Sequence, residues 1–339
     1  MKLATPRWWY VRGRQRGAMP VTRALLRPLS WAWAAVTARR IARTTPSDAG
    51  VPVICVGNLT LGGAGKTPVA REIARRVAAR GFSAHLLSRG YGGTEAGPLR
   101  VDPQVHTSRE VGDEPLMLAQ DLPAWIARDR AAGARAAAAA GAHVVVLDDG
   151  HQNPALKKAL SLIVVDGETR DGEWPFGDGA VFPAGPMREP LAAGLARADA
   201  VVLMLPAGVT APDPDLVKLF GGLPVLTARL EAPPPPAGPQ LAFAGVGKPW
   251  KVERALQAAG CDLADFAPFP DHFAYDEPVL ARLAARARQF DAGLLTTEKD
   301  WVRLPKAWRE RVAAWPAQAR FDDPAALDAL LDRVAGTAG

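Results

Sequence analysis

Two short segments of this chain carry residue types that handle phosphate. The first is Thr60-Leu61-Gly62-Gly63-Ala64-Gly65-Lys66-Thr67. Small residues there let successive backbone N–H groups turn inward around phosphate oxygens. Lys66 can reach the β- and γ-phosphates, and the Thr67 hydroxyl can hold Mg2+. The usual pattern opens with Gly where this chain has Thr60, and Gly62 with Gly63 keeps the loop supple beside the phosphates. The second segment, Val144-Val145-Val146-Leu147-Asp148-Asp149, is an apolar run ending in two carboxylates. An acid at such a strand end organises Mg2+ in phosphate-loop enzymes, so Thr67, Asp148 and Asp149 are the candidate metal ligands. The same aspartates could instead open a turn before Gly150. Together the two segments predict binding of a nucleoside triphosphate with Mg2+.

Loops of this kind need a strand before and a helix after, and both are legible. Val51–Val56 is a short β-branched run suited to a buried parallel strand, and a helical stretch from Pro68 to Arg80 ends at Gly81. Strand signals recur at Ala84–Leu87, His143–Leu147, Leu162–Val165 and Ala200–Leu205, with helical signals at Glu114–Gln120 and Ala131–Ala140. Alternation of this sort predicts an α/β fold, a phosphate-loop NTPase-like and mostly parallel sheet with helices on both faces. The Gly-rich stretch Asp166–Arg188 is longer than most connections, a length usual for functional loops. Four prolines, Pro233 to Pro236, read as a semi-rigid linker. Beyond it, strands at Leu241–Ala244 and Gly293–Thr296 and helices at Val252–Ala259 and Pro278–Gln289 predict a smaller α/β domain. The expected division is therefore 1–45, 46–232, a linker over 233–239, and 240–339.

At 339 residues, 48% hydrophobic and 22% charged, the chain is long enough for two cores and too apolar for disorder. Its net charge of +6 is uneven. Residues 1–47 hold ten basic residues (Lys2, Arg7, Arg12, Arg14, Arg16, Arg23, Arg27, Arg39, Arg40 and Arg43) and no acid, leaving 31 basic against 35 acidic residues elsewhere. Trp8, Trp9, Trp31 and Trp33 lie in the same stretch. Its apolar run is broken by Arg27 and Pro28 and falls short of the ~18–20 residues a spanning helix needs. Arg39, Arg40 and Arg43 stand where a signal peptide would have small residues. The composition predicts an N-terminal interfacial helix, with apolar and Trp side chains in the acyl boundary and arginines on anionic headgroups. A helix packed on the protein with a solvated basic face is the plainer alternative. No nucleic-acid module follows the basic stretch, so nucleic acid is not an expected partner. Two cysteines, Cys55 and Cys261, can build neither a disulfide framework nor a metal cage.

A guanine-nucleotide switch is disfavoured. Asp148-Asp149-Gly150 lacks the spacing of the switch motif, and Thr297-Glu298-Lys299-Asp300 has its Lys one position late for a guanine contact. A phosphotransferase is the leading reading, with an ATPase or switch acting on a protein partner as the alternative.

The chain resembles the tetraacyldisaccharide 4′-kinase family of lipid A biosynthesis. The residues that carry the resemblance are Val53–Pro68, Ser88-Arg89-Gly90-Tyr91-Gly92, Gly112-Asp113-Glu114-Pro115, Asp148-Asp149-Gly150-His151-Gln152, Pro183–Pro190, Asp271-His272 and Thr296–Asp300. Three positions depart from the usual family residues: His151 for Phe, Met187 for Leu, and Lys248 for Asn. The resemblance implies transfer of the ATP γ-phosphoryl group to the 4′-hydroxyl of a tetraacyl glucosamine disaccharide 1-phosphate. The place implied is the cytoplasmic face of the bacterial inner membrane, with the protein peripheral and no obligatory protein partner. It further implies an Asp113–His272 dyad that activates the hydroxyl across an interdomain cleft, with Lys66 as the third catalytic residue. Tyr91, Glu114 and Gln152 fall in the motifs as substrate- or phosphate-binding residues. Arg89, Arg130 and Arg188 could bind phosphates of ATP or of the lipid, or sit in surface ion pairs. Asp113 could also merely cap the helix that follows it.

Overall fold

The computed structural model describes residues 6–12, 15 and 17–335. Of the basic N-terminal residues, Lys2, Arg14 and Arg16 lie outside the described residues. The strands, in chain order, are β1 (Val53–Gly57), β2 (Ala84–Ser88), β3 (Leu99–Arg100), β4 (Ala124–Ile126), β5 (Val144–Asp148), β6 (Leu160–Asp166) and β7 (Ala200–Met204). They continue with β8 (Val225–Glu231), β9 (Gln240–Ala244), β10 (Leu263–Pro268), β11 (Gly293–Thr297), β12 (Val312–Trp315) and β13 (Gln318–Phe321). Among the described residues they form a nine-stranded sheet ordered β13-β8-β7-β6-β1-β5-β2-β4-β3 and a four-stranded sheet ordered β10-β9-β11-β12. Only the β8–β13 and β3–β4 pairs are antiparallel.

Strand periodicity explains how the large sheet is covered on both faces. Ile54 and Val56 of β1 pack with Val69 and Ile73 of the helix Lys66–Ala79. Val53 and Cys55 point the other way, toward Ala131 and Ala134 of the helix Arg130–Ala139. The central strand β1 lies between β5 and β6, and the register pairs Val56 with Asp148. The loop leaving β1 and the carboxylates ending β5 therefore emerge side by side at one edge of the sheet. Open α/β sheets bind ligands at that edge.

The C-terminal part departs from the expected boundary. Strands β9 to β12 build the smaller sheet, but β13 returns to pair with β8, and Leu327, Leu330 and Leu331 of the helix Pro324–Ala335 pack in the core of the large sheet. The reason is local: Pro316-Ala317 after β12 forms a second connection between the sheets, and the alternating Ala319 and Phe321 of β13 bury against the large sheet. The chain crosses between the sheets twice, not once.

The N-terminal helix is one continuous element, Pro20–Arg43, with Pro28 inside it. Pro28 removes one helical N–H donor without ending the helix. Arg23, Ser30 and Thr37, seven residues apart, are the buried side chains. Ser30 donates to the Val181 carbonyl at 2.7 Å and accepts from the Ala184 N–H at 3.1 Å. Val21, Leu25, Leu29 and Val36 face outward, between 59% and 75% exposed. The helix thus buries a polar row, Arg23, Ser30 and Thr37, and leaves large apolar side chains exposed beside its arginines. No helix among the described residues is long and apolar enough to cross a membrane.

Candidate active site

The loop after β1 runs into the helix Lys66–Ala79 as the motif requires. Thr60 sits in an antiparallel bridge to Met187, an extended conformation open to any residue, which explains why Gly is dispensable there. The Lys66 side chain is mostly buried, with its ammonium 3.8 Å from Asp149. Burial pushes its pKa down despite the neighbouring carboxylate. Thr67 donates its hydroxyl to Asp148 at 2.8 Å. Burial pushes the Asp148 carboxyl up to about 6, and its second oxygen is buried without a hydrogen-bond partner. A buried orphan carboxylate oxygen beside a hydroxyl is a fitting half-shell for Mg2+, which takes one or two protein oxygens and fills its octahedron with phosphate and water.

Asp149 is placed differently from Asp148. It adopts a left-handed backbone, φ 60°, and its carboxylate is forked by Arg188 at 2.9 and 3.1 Å. Arg188 also donates to the Thr60 carbonyl at 3.1 Å and to Gln152 at 3.3 Å, so it braces the phosphate loop. Gln152 itself donates to the Asn58 carbonyl at 2.8 Å and to Glu189 at 3.0 Å. Arg130, at the start of its helix, is buried with an unpartnered Nε. Burial and the nearby charge of Arg89 lower it to about 10. Arg89 is exposed at the end of β2.

The acid and the histidine meet across the two sheets. Asp113 opens the short helix Asp113–Leu118 beside the large sheet, and His272 sits in the loop after β10 of the small one. His272 Nδ1 lies 2.6 Å from Asp113 Oδ2. Asp113 is buried, and burial alone would raise its carboxyl; the His272 hydrogen bond and the Arg303 and Lys299 charges hold it below the ordinary carboxylate value. An ionised carboxylate only accepts hydrogen bonds, so Nδ1 carries a proton and Nε2 is the ring nitrogen turned away from Asp113. Gly112, just before Asp113, has φ 91°, and a Cβ there would meet the Tyr91 carbonyl at 2.7 Å. Only glycine lets the loop carrying Tyr91 lie against this helix start. The Tyr91 ring stands 5.9 Å from the His272 ring.

Several supporting residues were not legible as site residues. Arg303 Nε reaches the same Asp113 oxygen as His272, at 2.8 Å, and Arg303 also pairs with fully buried Asp300 at 2.7 Å. Lys299 pairs with Glu114 at 2.7 Å. Arg71, on the phosphate-loop helix, binds Glu298 at 2.7 and 2.9 Å and Asp121 at 3.0 Å. The only sequence signal was the cluster Glu298-Lys299-Asp300 with Arg303 one helical turn on. The three departures from the family pattern also have places. His151 is buried between Ser161 at 3.2 Å and the Gly194 carbonyl at 3.0 Å, and burial lowers it to about 4, so it is a neutral core group. Met187 is fully buried against Leu59, and Lys248 pairs with Asp166 at 3.4 Å.

A family model described as tetraacyldisaccharide-1-P 4′-kinase matches residues 22–335. The chain belongs to the tetraacyldisaccharide 4′-kinase family. It is 74% identical over 332 residues to the tetraacyldisaccharide 4′-kinase of Phenylobacterium zucineum, covering 98% of this chain and 99% of that protein. The Caulobacter vibrioides protein of the same name is 68% identical, covering 98% of each. The solved "apo" form of LpxK from Aquifex aeolicus in complex with ATP superposes with a TM-score of 0.71 at 26% identity, over 92% of this chain and 99% of that one. The fold described above is shared with that solved structure over most of both chains.

Proposed function

We propose that this chain transfers the γ-phosphoryl group of ATP to the 4′-hydroxyl of a tetraacyl glucosamine disaccharide 1-phosphate. The observation that supports this reading most directly is the 2.6 Å contact between Asp113 and His272 at the edge of the phosphate-loop sheet. His272 Nε2 takes the hydroxyl proton as the acceptor oxygen bonds to the γ-phosphorus. The bond from that phosphorus to the β–γ bridging oxygen breaks, and ADP leaves. Asp113 stabilises the resulting imidazolium. Lys66 neutralises charge on the β- and γ-phosphates, and Arg89 and Arg130 are the cations available to the acceptor's phosphate or to ATP. Thr67 and Asp148 would hold Mg2+, which would supply further charge neutralisation.

The test is transfer of label from γ-32P-ATP into a lipid A disaccharide precursor in mixed micelles. Label in the lipid with the native chain, and a loss of at least ~10²-fold with Asp113→Asn, is the expected result. Label released only as free phosphate would replace the kinase reading with an ATPase.

The same reading places the protein at the cytoplasmic face of the inner membrane, held by the helix Pro20–Arg43. Its outward apolar row and the exposed Arg27, Arg39, Arg40 and Arg43 suit an anionic lipid surface. Each outward Leu or Val adds roughly 1.5 kcal/mol or more when it leaves water. Replacing Leu25, Leu29 and Val36 together by serine is expected to lower co-sedimentation with phosphatidylglycerol vesicles at least ~10-fold. Native-like sedimentation of that variant would remove this helix as the anchor.

A further inference from the structure

A phosphate loop works when its N–H groups converge on the ligand, and its carbonyls must then diverge and find donors elsewhere. Here the donors are distinct. The Leu59 carbonyl accepts from the Arg188 N–H at 2.8 Å, and the Thr60 carbonyl accepts from Arg188 Nε at 3.1 Å. The Gly62 carbonyl accepts from Asn58 at 3.4 Å. Between them, the Leu61 carbonyl accepts from the Tyr10 hydroxyl at 2.6 Å, across 51 positions of sequence.

Tyr10 is itself held from several sides. Its carbonyl accepts from the Trp174 N–H at 2.7 Å, and neighbouring Val11 bridges Glu173. Arg23, from the N-terminal helix, donates to the carbonyls of Trp8 and Val11. Trp9 packs edge-on against Phe182, and the Lys248 ammonium stands 4.9 Å from the centre of the Tyr10 ring. The hydroxyl is thus presented to the loop by a built framework.

We propose that Tyr10 is a positioning residue of the nucleotide site, holding the Leu61–Gly62 peptide so that the Gly62 N–H faces the phosphates. The inference rests on the nucleotide-binding reading of residues 60–67. In a trans peptide the C=O and the following N–H point in opposite directions, so fixing the Leu61 carbonyl outward aims the Gly62 N–H inward. Gly62 has φ 107° and is followed by a second glycine, so without Tyr10 this peptide has little to stop it rotating. Rotation would turn a carbonyl toward the phosphates. The N-terminal segment that carries the arginines and tryptophans then also completes the ATP site.

The test is Tyr10→Phe in the full chain, which keeps the ring over Lys248 and the backbone bonds and removes only the hydroxyl. Titration calorimetry with Mg2+ and a non-hydrolysable ATP analogue is expected to show Kd raised ~5–10-fold, the size of one lost hydrogen bond. The KM for ATP should rise with it. The KM for the lipid acceptor and vesicle co-sedimentation should stay at native values, Tm should fall by no more than about 2 °C, and amide exchange at Gly62 to Gly65 should quicken. Analogue affinity within 1.5-fold of native would overturn the proposal. So would unchanged analogue affinity with weakened vesicle or acceptor binding, or a Tm several degrees lower with every parameter impaired alike. A native chain that binds no analogue at all would instead sink the nucleotide-site reading, an outcome distinct from native and variant binding equally.

Discussion

Replacing His272 by alanine is expected to lower kcat by about 10²- to 10⁴-fold while leaving the affinity for Mg·ATP near native. The range follows from what the side chain offers. Its Nδ1–H is committed to Asp113 at 2.6 Å, so Nε2 is the free base, and Asp271 at 3.8 Å from that nitrogen is beyond hydrogen-bond reach. His272 also has a left-handed backbone, φ 57°, and its N–H donates to the Gly245 carbonyl at 3.1 Å. Arg303 donates to that same carbonyl at 2.8 Å. The imidazole is therefore held from its ring and from its main chain. On the proposed reading Asp113 and His272 act as a unit, so the double variant Asp113→Ala/His272→Ala should lose no more than the worse single variant. Transfer into lipid by His272→Ala at more than a tenth of the native kcat would remove His272 as the base.

The second large effect is on stability. Arg71→Met is expected to destabilise the protein by about 1.5–3 kcal/mol, since it leaves the half-buried Glu298 carboxylate without its buried cation. Arg71 is 5% exposed and bonds Glu298 through both terminal nitrogens. Burial alone would lower the guanidinium's pKa, but Glu298 and then Asp121 raise it above the ordinary value. Asp121 keeps Arg75 at 3.1 Å when Arg71 is lost; Glu298 is the group stranded. Adding Glu298→Gln to Arg71→Met should therefore recover part of the loss, as a double-mutant cycle in thermal unfolding would show. A single variant whose Tm falls by less than about 1 °C would show that the pair contributes nothing net. A fall in Tm should be matched by a fall in kcat/KM. Glu298 begins the helix Glu298–Trp301, whose neighbours Lys299 and Arg303 hold Glu114 and Asp113.

Much of the site was readable because its chemistry is local. The glycine-rich loop over residues 60–67 is recognisable from its own residues, and Lys66 and Thr67 are placed by the helix start. An apolar strand ending in Asp148 needs no partner to be recognised, and the register Val56 to Asp148 then follows from two parallel strands sharing an edge. Asp113 and His272 were legible only through the motifs around them, since nothing within either segment brings them together.

What the tertiary structure decided are the interactions between distant segments. Asp149 reads like Asp148 in the sequence, yet a left-handed turn gives its carboxylate to Arg188. The return of β13 to the large sheet rests on a two-residue connection and two buried side chains, too short a signal for periodicity to register. The buried polar row Arg23, Ser30 and Thr37 could not be told from the apolar row beside it until the Val181 and Ala184 backbone lay under the helix. Tyr10 meets Leu61, Arg71 meets Glu298 and Arg303 meets Asp113 across 51 or more positions. Hydrogen bonds and ion pairs act over about 3 Å, and only the folded chain closes gaps of that length.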